Sequence, residues 1–106
     1  MSMDAVQRRE ARLIILKFLA EESNRTLTSS ALTVQMNELF LMNRPRAWVE
    51  QEMAYLGEMG AVKLTTAGTV KIARLLAHGA RHLSWGITIP DVMRPSEPII
   101  LPEADN

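Results

Sequence analysis

Three groups of residues in this 106-residue chain have the types and spacing to do chemistry. Arg44, Ala47, Gln51, Ala54 and Glu58 recur at three- and four-residue steps, which places them on one face of a helix. Such a face suits duplex DNA. Gln51 can pair with an adenine edge, Arg44 with a guanine or a phosphate, and small side chains at 47 and 54 admit a close approach to the groove. The plainer reading is a solvated face with alanine there for helix propensity, and Glu50 and Glu58 favour it because both repel phosphate. In the second group, Lys63, Thr65, Thr66, Thr69, Lys71 and Arg74 offer ammonium, guanidinium, hydroxyl and backbone donors for phosphates. Threonines in an ordinary exposed hairpin would read the same way. The third group, His78 and His82, has the i, i+4 spacing of a metal pair. No cysteine exists and no carboxylate lies nearby in sequence, so a short half-packed helix is the expectation. There is no phosphate-cradling glycine loop, nucleophile elbow or convincing pair of carboxylates, and Ser29-Ser30 reads as a helix cap. Neither enzymatic chemistry nor a cofactor is expected.

The elements that would position these groups follow from the apolar pattern. A first helix is expected over about Asp4 to Glu22, with Glu10, Lys17 and Glu21 on a narrow polar face. Leu13 to Ala20 is apolar nearly all round, wider than a surface helix needs. That width fits either a central helix packed on several sides or a homodimer seam through Ile15 and Leu19. After a polar break, Thr26-Leu27 suits a short strand, and Thr28, Ser29 and Ser30 are N-cap candidates for a second helix running to about Leu41. Its core residues would be Leu32, Met36 and Leu39. Pro45 suits the first position of a third helix, whose inward face is Val49, Met53 and Leu56. Trp48 and Tyr55 are read as packing residues against the first helix or the chain's end.

Gly60 sits where the third helix must stop, and Ala61-Val62-Lys63-Leu64 switches to the two-residue alternation of a strand. A turn around Gly68 and a return strand from Val70 complete a hairpin. The expected fold class is therefore α+β. It is a winged helix-turn-helix of three main helices with a C-terminal β-hairpin wing, a short fourth helix within Ala77–Trp85 and an extended tail. The expected domain spans residues 1–86, and the tail, 87–106, holds four of the five prolines. Its Ile99-Ile100-Leu101 triplet between prolines is too apolar for a free tail and suggests docking on its own domain, a second subunit or a partner protein.

Charge is segregated. Residues 1–60 carry seven Lys/Arg and eight Asp/Glu for −1, residues 61–82 carry four cations and no acid for +4, and residues 83–106 carry −3. The whole-chain balance of zero argues against a nucleic-acid ligand, whereas the local +4 argues for one. No apolar run approaches a membrane span, and MSMDAVQRRE lacks a signal-peptide pattern, so a cytoplasmic protein away from membranes is expected.

The run RREARLIILKFLAEE, the Ser-rich cap at 27–30, the segment MAYLGEMGAVKL and the ending GITIPDVMRPSEP together resemble a small family of winged-helix proteins of Mu-like phages and prophages. The resemblance covers about Arg9 to Pro98. Its most specific parts are Met53-Ala54-Tyr55-Leu56, Gly60-Ala61-Val62 and Arg94-Pro95. It implies the winged-helix fold, a phage origin and a fold like that of transcription regulators, but no catalytic residues.

The leading expectation is a small prophage DNA-binding protein, a dimeric transcription regulator on double-stranded DNA. Arg44, Ala47 and Gln51 would face the major groove, and Lys63, Thr66, Lys71 and Arg74 would hold phosphates, with the wing supplying most of the affinity. The alternative is a protein–protein interaction module on the same scaffold. It would meet a second copy, or a phage or host protein, through Ile15, Leu19, Ile99, Ile100 and Leu101.

Overall fold

A computed structural model describes residues 2–102. Four helices and three strands follow in the order α1 (Met3–Glu21), β1 (Thr26–Thr28), α2 (Ser29–Phe40), α3 (Arg46–Glu58), β2 (Val62–Ala67), β3 (Val70–Leu75) and α4 (Ala77–Leu83). The strands form one antiparallel sheet in the order β1-β3-β2, so the short first strand pairs with the far arm of the hairpin. Among the described residues, no helix is long and apolar enough to cross a membrane.

Helix α1 is the centre of the molecule. Ser2 rather than Asp4 caps it, with Ser2 Oγ accepting from the Ala5 N–H at 3.1 Å, while Asp4 sits in the first turn. The broad apolar surface is used up internally: α1 meets α2, α3, α4 and β3. Leu13, Ile14, Ile15, Leu16, Phe18 and Leu19 are all buried. Ile15 and Leu19 are fully inaccessible, which corrects the dimer-seam assignment. Their apolar faces are covered by the chain's own elements, leaving nothing for a second copy to touch.

Thr28 caps α2, its Oγ1 accepting from the Ala31 N–H. Leu32 and Met36 are buried as expected, but Leu39 is 67% exposed. The last turn of α2 ends in Leu41 with φ +51°, and Leu39, Phe40 and Leu41 are all exposed there. Helix α3 buries Val49, Met53 and Leu56, as their spacing required, together with Trp48 and Glu52. It ends in a Schellman motif. Gly60, at φ +74°, lets its N–H reach the Gly57 carbonyl (3.1 Å) while the Ala61 N–H reaches that of Leu56 (2.9 Å). The chain is thereby turned straight into β2.

Gly79 has a different role. A Cβ there would stand 2.5 Å from the Ala61 carbonyl oxygen and 2.8 Å from Leu75 Cδ1, so only glycine lets α4 lie this close to the sheet. Beyond α4 the chain is extended, yet it shares the core. Ile89 and Val92 are buried, and Ile99 and Leu101 pack against the same cluster. His82 pins this segment. Its Nδ1 accepts from the Ile89 N–H (2.9 Å), and Nε2 lies 3.0 Å from the Met93 carbonyl oxygen, an arrangement that fits the neutral ring with its proton on Nε2. Met93 N–H donates to Arg9 O, Ile99 N–H to Leu83 O, and Trp85 Nε1–H to Pro95 O. Residues 103–106 of the expected tail lie outside the described residues.

Candidate nucleic-acid interface

Helix α3 turns two faces to two environments. Ala47, Gln51, Ala54 and Glu58 are exposed, opposite the buried Val49, Met53 and Leu56. The open face consists of two alanines, Gln51 and one charge, that of Glu58. Arg46, at its first turn, stands 3.6 Å from Glu50, and Glu50 in turn accepts from the buried Ser29 hydroxyl at 2.6 Å. That hydroxyl also accepts from the Lys71 N–H at 3.0 Å. Ser29 thus ties α2, α3 and β3 together instead of capping a helix.

Arg44 is not on this face, which corrects its assignment as a base contact. It precedes α3, in a turn whose Asn43 has φ +54°. Asn37 clamps its backbone on both sides: Nδ2–H donates to Arg44 O at 2.9 Å, and Oδ1 accepts from the Arg44 N–H at 2.8 Å. The guanidinium then swings onto α1, donating twice to Gln7 Oε1 and approaching Asp4 at 3.6 Å. It also lies over the Trp48 ring, 4.8 Å from its centroid.

A connected set of cations and aromatic rings lies between α1 and α3. Glu52 is 1% exposed and accepts from Arg8 Nη1 and from Arg12 Nε (2.9 Å). Arg8 stacks over Trp48 at 5.2 Å, and Arg12 over Tyr55 at 3.8 Å. Tyr55 donates its hydroxyl to Pro90 O (2.7 Å), and Arg12 Nη1 donates to Asp91 O (2.9 Å), so the extended segment is held here too. The Asp4 hydrogen bond raises the Arg8 guanidinium further above its ordinary range; the field of Glu52 assists and burial opposes. Sequence reasoning missed Glu52. The signal was its place one residue before Met53 and three after Val49, inside the face that had to be buried.

The hairpin divides its cations between two sides. Lys71 pairs with Thr66 on the side where Ala73 and Leu75 meet the core, and Lys71 Nζ–H donates to Thr66 Oγ1 at 2.9 Å. Lys63 pairs with Arg74 on the opposite, solvent side. Residues 44, 47, 51, 63, 66, 71 and 74 therefore do not converge on one surface. Ala47 and Gln51 remain open on α3, Thr66 and Lys71 share its side of the sheet, and Lys63 and Arg74 face away.

His78 is exposed while His82 is buried with both ring nitrogens engaged, so the two do not form a metal pair. Among the described residues, no group of three or more His, Asp or Glu could hold a metal ion. Of the tail triplet, Ile99 and Leu101 are half-buried against the chain's own core and Ile100 is 74% exposed. Comparisons with protein-family models, curated proteins and solved structures find no match for this chain.

Proposed function

We propose that the chain is a winged-helix DNA-binding protein of phage or prophage type, acting in transcription regulation. The supporting observation is the element order α1-β1-α2-α3-β2-β3 with the strand order β1-β3-β2, which leaves the Ala47–Gln51–Ala54 face of α3 uncovered. In helix-turn-helix readers this is the helix that enters the major groove. Ala47 and Ala54 let its backbone approach the base pairs, Gln51 reads an edge, and Thr66 and Lys71 meet a phosphate beside it. The function itself is argued from this face, since the scaffold alone hosts many activities.

Fluorescence anisotropy with a mixed-sequence duplex at low salt tests the reading. Wild type should bind at micromolar protein or below, with log affinity falling linearly against log salt. The variant Ala47→Glu/Ala54→Glu alters only exposed positions and should weaken binding at least tenfold with unchanged thermal stability. Absence of wild-type binding at micromolar protein refutes the reading.

One observation favours a second reading, a protein–protein interaction module. Val34, Leu39, Phe40 and Leu41 expose apolar surface on and just beyond α2, and Glu38 is the one charge on that helix. Size-exclusion chromatography with light scattering, comparing wild type with Leu39→Ser/Leu41→Ser, separates this reading. A shift from dimer to monomer together with absent DNA binding would support it.

A further inference from the structure

Four cations outside the α1–α3 interface, Arg25, Lys63, Arg74 and Arg81, lie on the solvent side of the sheet or in a groove beside it. In register, Thr26, Arg74 and Lys63 form one row across the solvent side of the sheet, from β1 through β3 to β2. At Arg74 the row adjoins a groove of about 1110 Å³ between the α1–β1 loop, the end of β3, α4 and the extended segment. Three guanidiniums line it, those of Arg25, Arg74 and Arg81, with Ser23, Asn24 and Ser84 between them and no carboxylate among the described lining residues. Each arginine is placed by the fold. Arg25 takes φ +55° in the loop and its carbonyl accepts from the Leu75 N–H (2.9 Å), Arg74 is on β3, and Arg81 is on the exposed side of α4. Among the described residues, the side chains of Lys63, Arg74 and Arg81 have no hydrogen-bond or ion-pair partner, whereas Arg25 donates to Pro102 O.

We propose that this row and groove bind the phosphate backbone of a nucleic acid, at a surface separate from the exposed face of α3. The inference rests on nucleic acid being the ligand, as proposed above, but not on α3 being the reader. A forked guanidinium is matched to phosphate oxygens in geometry as well as charge. Hydroxyl and amide groups interleaved with cations make the same contacts that phosphates receive elsewhere. An acidic peptide would also answer the charge and could use the apolar lining of Leu76, Ile100 and Leu101, but the Thr26, Arg74 and Lys63 row extends the cations over the flat outer face of the sheet outside the groove, which suits a running backbone of phosphates. The hairpin points Lys63 and Arg74 away from Lys71, so the two surfaces can be tested apart.

The experiment titrates a fluorescent mixed-sequence duplex and a 20-nucleotide single strand with the full chain at several salt concentrations. It compares wild type, Arg74→Gln/Arg81→Gln and Ala47→Glu/Ala54→Glu, with a fluorescent ten-residue poly-glutamate as control. All substituted side chains are exposed, and circular dichroism checks the fold. The expected result is that Arg74→Gln/Arg81→Gln lowers the slope of log affinity against log salt by roughly 1 to 2, about 0.9 per lost phosphate contact on duplex and about 0.7 on single strand. Ala47→Glu/Ala54→Glu should keep that salt-dependent component. If Arg74→Gln/Arg81→Gln keeps the wild-type slope while Ala47→Glu/Ala54→Glu loses binding, this inference fails and the α3 reading stands. If only Arg74→Gln/Arg81→Gln loses binding, the α3 reading fails and this one stands. Wild type that ignores both nucleic acids overturns both, and arginine-dependent capture of poly-glutamate instead would assign the groove to an acidic protein.

Discussion

The α1–α3 interface and the surface formed by the outer face of the sheet with α4 hold similar numbers of cations and use them in opposite ways. Between the helices, Arg8, Arg12 and Arg44 are all turned inward on Glu52, Gln7, Asp4 and two aromatic rings. On the sheet and α4, the side chains of Lys63, Arg74 and Arg81 have no hydrogen-bond or ion-pair partner among the described residues. A count of charges treats the two regions alike. What separates them is the presence of carboxylates and aromatic faces within reach, because a cation already desolvated and paired gains little from a phosphate. The balance of zero for the whole chain therefore conceals one saturated region and one open one.

The largest effect expected from breaking this contrast is at Glu52. Glu52→Ala removes the one carboxylate shared by Arg8 and Arg12 and should cost about 2–4 kcal/mol of stability. The lower end applies because Arg8 retains access to solvent. Urea denaturation measures it, and nucleic-acid affinity at a temperature where the variant is folded should be unchanged. Next is His82→Ala, which frees the Ile89 N–H and the Met93 carbonyl together. A loss of about 2 kcal/mol is expected, with new protease cleavage within residues 88–98 as the direct readout. Arg44→Gln should cost about 0.5–1 kcal/mol, since its ion pair and ring contact are half-exposed. It should also leave the salt slope of DNA binding unaltered. A slope reduced by about 1 would return Arg44 to the phosphate contacts. The smallest effect concerns the two acids that follow Pro102 in sequence. Glu103→Gln/Asp105→Asn removes negative charge next to the residue held by Arg25 and should raise nucleic-acid affinity about two- to threefold at low salt.

The architecture was legible where local rules act alone. Val49, Met53 and Leu56 on a helical repeat, Gly60 at a helix stop and the alternation after it led to the observed helix and hairpin, because period and glycine conformation need no distant partner. The two-fold ambiguity of α1 was resolved by packing on four elements that composition alone could not count. What was not legible depends on residues far apart in sequence. Glu52 meets Arg8 and Arg12 across 44 and 40 residues, and Gln7 meets Arg44 across 37. A helical wheel assigns Arg44 to the face of Gln51, yet the left-handed Asn43 and the Asn37 clamp turn it the other way. Leu39 fits the apolar repeat of α2 but falls in its exposed last turn, where the repeat outlasts the core. The hairpin cations were found by composition, but their division between two sides depends on strand register.

Amide chemical-shift mapping of the ¹⁵N-labelled chain titrated with a mixed-sequence duplex tests the central contrast most directly. The open cations and the open helix face should respond, with the largest shifts at Arg25, Lys63, Arg74 and Arg81 and at Ala47 and Gln51. Gln7, Arg8, Arg12 and Arg44 should stay near their free positions. Shifts concentrated on Gln7, Arg8, Arg12 and Arg44, with Lys63, Arg74 and Arg81 unmoved, would contradict the account.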